Sequence, residues 1–318
     1  MRLRTRLILG AIGVTLIAVG FWLTIYLPFP SATAREAIGD LQTISTSEGS
    51  LTYRKLGAGP CIILFPSAGR EASDFNELTK ALEFNGYQTL SIDPGGIGDS
   101  GIGLSINSYR AAFTIHAAGA KNCGWKQPTI LIGHAYGNRV VRLNASLSNM
   151  QDGFDASLLD LPTDQANIEA VILLAAGGQI PIEPKAEQSL RDIFNPLKSH
   201  ESRMKDVEYA FFAEGNDIPD HWTRGWHTKT AMAQSEAIIE SEEYSDLWHC
   251  AGGVPMLIVQ PMQDRIAPIE NAYALRDKCP QEVEIVEVQN AGHALLPEQP
   301  EAVADAVLAF LAKHHPVD

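Results

Sequence analysis

The sequence predicts an α/β domain with a mostly parallel central sheet flanked by helices, and three observations predict it. Strand-like and helix-like stretches alternate from about residue 50 to the end of the chain. The 318 residues are 45% apolar, enough for one large domain with an ample core. The residues suited to chemistry follow apolar runs, at the carboxyl ends of strands, where open parallel sheets build their sites.

The elements follow in order. Leu51 to Lys55 reads as an early strand and Cys61 to Phe65 as a buried one. Helical periodicity from Ala72 to Glu83 leads to a strand at Gln88 to Ile92. A helix around Ser108 to Ala120 precedes the apolar run Pro128 to Ile132, and another helix runs from Asn138 to about Leu147. The polar stretch Ser148 to Gln165 reads as a surface insertion, and Ala170 to Ala175 as the next buried strand. From Pro181 to about Leu247 the pattern loosens into a charged and aromatic region, placed where a lid (residues 181–247) would hang over a site. Pro255 to Gln260 restores the sheet. A helix at Ile269 to Lys278, a strand at Val283 to Val288 and an amphipathic helix at Pro300 to Lys313 close a domain expected over residues 45–315.

The amino terminus differs in kind. Arg2, Arg4 and Arg6 precede Leu7 to Leu27, a run without charge that matches the ~20 residues needed to cross a bilayer. It exceeds the roughly 7–15 apolar residues of a cleavable signal, which favours an uncleaved single-pass anchor with the domain outside the cytoplasm. Ala32-Thr33-Ala34 offers a rival reading, a signal peptide cut after Ala34 that leaves a periplasmic or secreted product. Residues 1–34 are therefore a signal anchor or signal peptide, and the membrane is a partner through them. Lys and Arg total 24 against 38 Asp and Glu, a net charge of −14, which excludes the cationic surface that nucleic acid needs. Oligomeric state leaves no mark on the sequence.

After Pro128 to Ile132 comes Gly133-His134-Ala135-Tyr136-Gly137. A strand-to-helix turn this tight needs small residues two before and two after its centre, as here. It resembles the nucleophile elbow Gly-x-Ser-x-Gly, with Ala135 at the nucleophile position. Residues from about 45 to 315 are thus similar to the α/β-hydrolase family of esterases, lipases, epoxide hydrolases and C–C hydrolases.

The resemblance implies roles for other residues. Asp264, in the loop after Pro255 to Gln260, takes the place of the triad acid, and His293, after the last strand, that of the catalytic base. The amides of Ala68 and Tyr136 would form the oxyanion hole, although Pro66 and Ser67 replace the family's usual His-Gly. Asp93 to Ser100 resembles the family's glycine-bearing turn and reads as structural. His134, Trp222, Trp226 and His227, with His221 and Trp248 nearby, would line an apolar pocket for a small-molecule substrate, or equally form the lid's own core. In the family's strand order all four cysteines share the sheet edge opposite the site. Bridges Cys61 to Cys123 and Cys250 to Cys279 are then feasible, as are four buried free thiols. No Cys/His spacing suggests zinc and no P-loop follows the glycines, so neither a metal nor an organic cofactor is expected.

A methyl group cannot attack a carbonyl. Four explanations fit Ala135: a His/Asp dyad working with the oxyanion hole but no covalent nucleophile, for hydrolysis by activated water, cofactor-free lyase or proton-transfer chemistry on a small, largely apolar ester or carbonyl compound; Ser67 as a displaced nucleophile; a binding module without turnover; or a serine deliberately replaced in a serine hydrolase.

Overall fold

The computed structural model describes residues 33–46, 49–101, 108–124, 127–149, 167–195, 197–240, 248–279 and 281–317. Eight strands form one sheet: β1 (Asp40–Thr46), β2 (Gly49–Leu56), β3 (Cys61–Phe65), β4 (Gln88–Asp93), β5 (Thr129–His134), β6 (Ile168–Leu174), β7 (Met256–Pro261) and β8 (Val283–Val288). Their spatial order is β1-β2-β4-β3-β5-β6-β7-β8. β2 runs antiparallel to both neighbours, and every pairing from β4 to β8 is parallel.

Because side chains alternate across a strand, the central strands feed two cores. Ile63, Phe65 and Leu131 face one layer, which holds α2 (Ser108–Asn122), α3 (Tyr136–Asn149) and α7 (Glu270–Lys278). Ile62, Leu64 and Ile130 face the other, with α1 (Asn76–Phe84) and the closing helix α9 (Pro300–His314), which follows the short α8 (Leu295–Glu298). β3, β5 and β7 are buried throughout, which explains why they read as unbroken apolar runs.

Two expectations need adjusting, and of the two readings left open for the cysteines the bridges are the one present. The sheet begins at Asp40, ahead of the expected boundary at residue 45, with a polar edge strand that shows no alternation in sequence. Helical structure after β3 starts as a 3₁₀ turn at Ala72–Phe75 before α1. The four cysteines are not free thiols: Cys61 is bridged to Cys123 and Cys250 to Cys279, with Cα separations of 5.6 and 5.3 Å.

Between β6 and β7 the chain inserts α4 (Pro184–Ile193), α5 (His200–Phe211), a 3₁₀ turn at Asp220–Trp222 and α6 (Thr228–Glu240). Its core joins Phe211, Phe212, Trp222 and Trp226, packed edge-on at 5.1–5.8 Å between ring centres. Residues 241–247, the end of the expected lid, lie outside the described residues, as does most of the Ser148 to Gln165 insertion.

The apolar run Leu7 to Leu27 and its flanking arginines also lie outside the described residues. No helix among those described is long and apolar enough to cross a membrane. Where the described chain begins, Ala34 is buried: its amide donates to Glu71 Oε1 at 3.0 Å, and Gly225 of the insertion approaches so closely that a Cβ there would lie 2.6 Å from that of Ala34. Arg35 follows with a bidentate pair to Glu77.

Candidate active site

Ala135 sits between β5 and α3 with φ +50°, the left-handed conformation of a turn that presents its side chain outward. The backbone leaves no room on either side. A Cβ on Gly133 would meet the amide of Asn138 at 2.5 Å, and one on Gly137 would meet the carbonyl oxygen of Phe65 at 2.1 Å. Asn138 then locks the turn: its Nδ2 donates to Leu174 O at 2.7 Å, and its Oδ1 accepts from the Leu174 amide. The elbow geometry expected from the two glycines is present, with a methyl group at its centre.

Asp264 follows β7. Its Oδ1 accepts the amides of Ile266 and Ala267 at 2.8 and 2.7 Å, which fixes the carboxylate. Its Oδ2 faces His293 Nδ1 at 2.8 Å. A carboxylate only accepts, so Nδ1 carries the proton and Nε2 is the imidazole's basic face. Among the described residues Nε2 makes no hydrogen bond. The ring is nearly enclosed, edge-on to Phe211 of the insertion at 5.3 Å and beside His134 at 5.5 Å.

His134 ties the elbow to this loop. Its Nε2 donates to the carbonyl of His293 at 2.9 Å, and its ring is fully buried. Burial first, and the nearby His293 second, push its pKa down to about 4, so it stays neutral near pH 7. The structure therefore places His134 behind the site as a brace between two loops.

The loop after β3 carries Ser67, Ala68, Gly69 and Arg70, with a turn closed by the Arg70 amide on Ser67 O at 3.1 Å. The start of α3 abuts this loop through Gly137, which brings Ala68 and Tyr136 to the same end of the sheet. Ala68 and Ala135 are only partly buried, whereas Ser67 is 3% exposed, and no hydrogen bond joins Ser67 to His293.

The aromatic and histidine candidates divide. Trp222 and Trp226 belong to the core of the insertion and stack on the buried Arg70 guanidinium at 4.3 and 4.7 Å. His227 pairs with the buried Glu71 at 2.9 Å. A pocket beside Tyr136 is lined instead by Phe65, Pro94, Gly95, Ala111, Thr230 and Gln234, among others.

Sequence reading missed three residues that shape the site: Asn138, Gln234 and Glu298. Glu298 accepts the amides of Gly292 and Ala213 at 2.7 Å each, joining the histidine loop to the insertion. Burial raises its pKa against those hydrogen bonds. All three grip backbone groups of distant segments, which leaves no motif or spacing to read.

The alpha/beta hydrolase fold family matches residues 60–300. No curated protein matches the chain in sequence. Among solved structures, a bacterial membrane phospholipase A described as a virulence factor is similar over 97% of this chain and 98% of its own, at 18% identity and TM-score 0.66. A thermophilic esterase from Thermogutta terrifontis is similar over 87% and 100%, at 18% identity and TM-score 0.68. A carboxylesterase from Bacillus subtilis is similar over 88% and 94%, at 16% identity and TM-score 0.67. With the eight-stranded order, the elbow and the family match across most of its length, the chain belongs to the alpha/beta hydrolase fold family.

Proposed function

We propose that this protein hydrolyses a small, largely apolar ester by direct attack of water, with His293 as general base, Asp264 as its orienting partner and the amides of Ala68 and Tyr136 as oxyanion hole. The observation that carries this reading is the Asp264–His293 contact at 2.8 Å, which leaves Nε2 without a hydrogen-bond partner among the described residues in a nearly enclosed site. His293 Nε2 takes a proton from water while the water oxygen bonds to the ester carbonyl carbon. The carbonyl oxygen becomes an oxyanion held by the two amides. When the intermediate collapses, the carbon–oxygen bond to the alcohol breaks and the proton passes from His293 to the leaving oxygen. The insertion between β6 and β7 acts as a cap that keeps bulk water from the site.

The size of the effect sets the expected rate. Triad hydrolases stripped of a catalytic residue keep roughly 10³–10⁴-fold acceleration over water, so turnover here is slow. Ala135 itself favours a second reading, a member that binds the ester without turning it over. The membrane phospholipase A among the similar structures is in keeping with an ester substrate and a membrane setting. The resemblances to esterases support the ester class.

Ala135→Ser tests the assignment. With His293 in reach, the new hydroxyl becomes reactive toward a fluorophosphonate that leaves the wild type unlabelled at position 135, and His293→Ala removes that labelling together with any wild-type turnover. Wild-type ester hydrolysis that survives His293→Ala overturns the dyad. Labelling of the wild type at Ser67 transfers the role of nucleophile to that residue.

A further inference from the structure

The loop that carries the Ala68 amide is held chiefly by the insertion. The amide of Gly69 donates to Gln234 Oε1 of α6 at 2.8 Å, and the carbonyl of Gly69 accepts from the His227 amide at 2.9 Å. Gly69 has φ +64°, and a Cβ there would meet Ala231 Cβ at 2.8 Å and Phe194 at 3.0 Å, so α6 and the residue that ends α4 both press on it. Arg70 completes the clamp. Its guanidinium donates to the carbonyls of Arg224 and Gly225, lies over Trp222 and Trp226, and pairs with Asp74 on its own side. Both backbone groups of Gly69 are thus satisfied by the insertion, which shares the Arg70 guanidinium with Asp74, and a buried amide that lost its acceptor would turn to find another.

We propose that the cap assembles the oxyanion hole, with Gln234 as the positioning residue that sets the direction of the Ala68 amide through Gly69. Cap closure and oxyanion stabilisation are then linked: when α6 and the His227 that precedes it lift, Gly69 loses both partners, and the Ala68 donor is aimed only by the bond from the Arg70 amide to Ser67 O within the loop. The catalytic consequence rests on the function proposed above, whereas the mechanical coupling does not. Gln234 also lines the small pocket beside Tyr136 and Phe65.

Two measurements on the full chain separate the coupling from the chemistry. In hydrogen-exchange mass spectrometry resolved at single residues, the Gly69 amide of the wild type exchanges in step with the amides of α6. Exchange as slow as that of the β3 amides overturns the proposal without any variant. Gln234→Met, which keeps the length and loses the acceptor, speeds Gly69 exchange at least about tenfold, and Gln234→Glu, which keeps an acceptor, holds it near the wild-type rate. Unchanged exchange in Gln234→Met overturns the coupling. Adding Gln234→Met to Ala135→Ser lowers the second-order rate of fluorophosphonate labelling roughly tenfold to a hundredfold, somewhat less than outright removal of one oxyanion donor. An equal labelling rate overturns the positioning role. If Ala135→Ser alone does not label, the proposed dyad fails, and the exchange data still decide the coupling.

Discussion

His134 shows how one residue of the elbow sequence serves structure and chemistry together. Its Nε2 must donate to the carbonyl of His293, and its buried ring resists a second proton, holding its pKa near 4 against an ordinary 6.5. The folded protein therefore binds fewer protons than the unfolded chain between about pH 6.5 and 4. Its contribution to stability is full above 6.5 and falls as pH drops through that window, by on the order of 3 kcal/mol. Asp93 opposes it. Burial, with Glu71 adding to it, raises the Asp93 carboxyl from 3.8 to about 6, so the folded state binds more protons there, and stability falls as pH rises through that range. The two slopes offset, and we expect a shallow dependence between pH 4 and 6 in urea unfolding. Asp93→Asn should expose the His134 slope, a steeper loss on acidification, and His134→Gln, which keeps a donor for the His293 carbonyl, should leave the opposite trend. Identical slopes in all three proteins would reject both assignments.

The elements that matter most are the turns at the ends of β3, β5, β7 and β8. Gly137→Ala places a methyl 2.1 Å from Phe65 O, and neither backbone can yield without moving β3 or α3. It should cost at least the upper part of the ~1–3 kcal/mol range for overpacking, read as a lower urea midpoint at unchanged slope. A normal midpoint would show that β3 and α3 yield to the added methyl. These turns were legible in the sequence because their chemistry is local: Gly133 and Gly137 bracket the elbow, and Asp264 and His293 follow apolar runs in chain order. β3, β5 and β7 were legible for a related reason, since strands buried on both faces read as unbroken apolar runs. β1 was not, because Asp40–Thr46 is an edge strand with polar residues on both faces. Gln234 lay beyond reach for a different reason: it acts on Gly69 from 165 residues away, and nothing in a glutamine on a helix foretells that partner. For Trp222 and Trp226, only packing distinguishes a pocket wall from a core.

At the scale of the whole molecule, covalent and tethering constraints meet. The bridges Cys61 to Cys123 and Cys250 to Cys279 close segments of 62 and 29 residues, which in the loop-entropy account stabilises the fold by about 4 kcal/mol each, the longer segment slightly more. Alkylation without reductant, followed by mass spectrometry of the unfolded chain, should find no labelled cysteine. An exported location would keep both bridges oxidised. The amino terminus supplies the last prediction. A signal peptidase cut after Ala34 would remove a residue whose amide holds buried Glu71 and whose side chain fills the contact with Gly225, leaving that carboxylate with fewer donors beside the buried Arg70–Asp74 pair. Arg35 would keep its grip on Glu77, but as a charged terminus next to a buried site. We propose that the chain continues uncut into Leu7 to Leu27, which keeps these contacts, and we expect the mature protein to sediment with membranes and to resist extraction by high salt and alkali. Amino-terminal sequencing checks this directly. A terminus at Arg35 on a soluble product would remove the anchor, and Ala34 would then be dispensable to a fold that grips it.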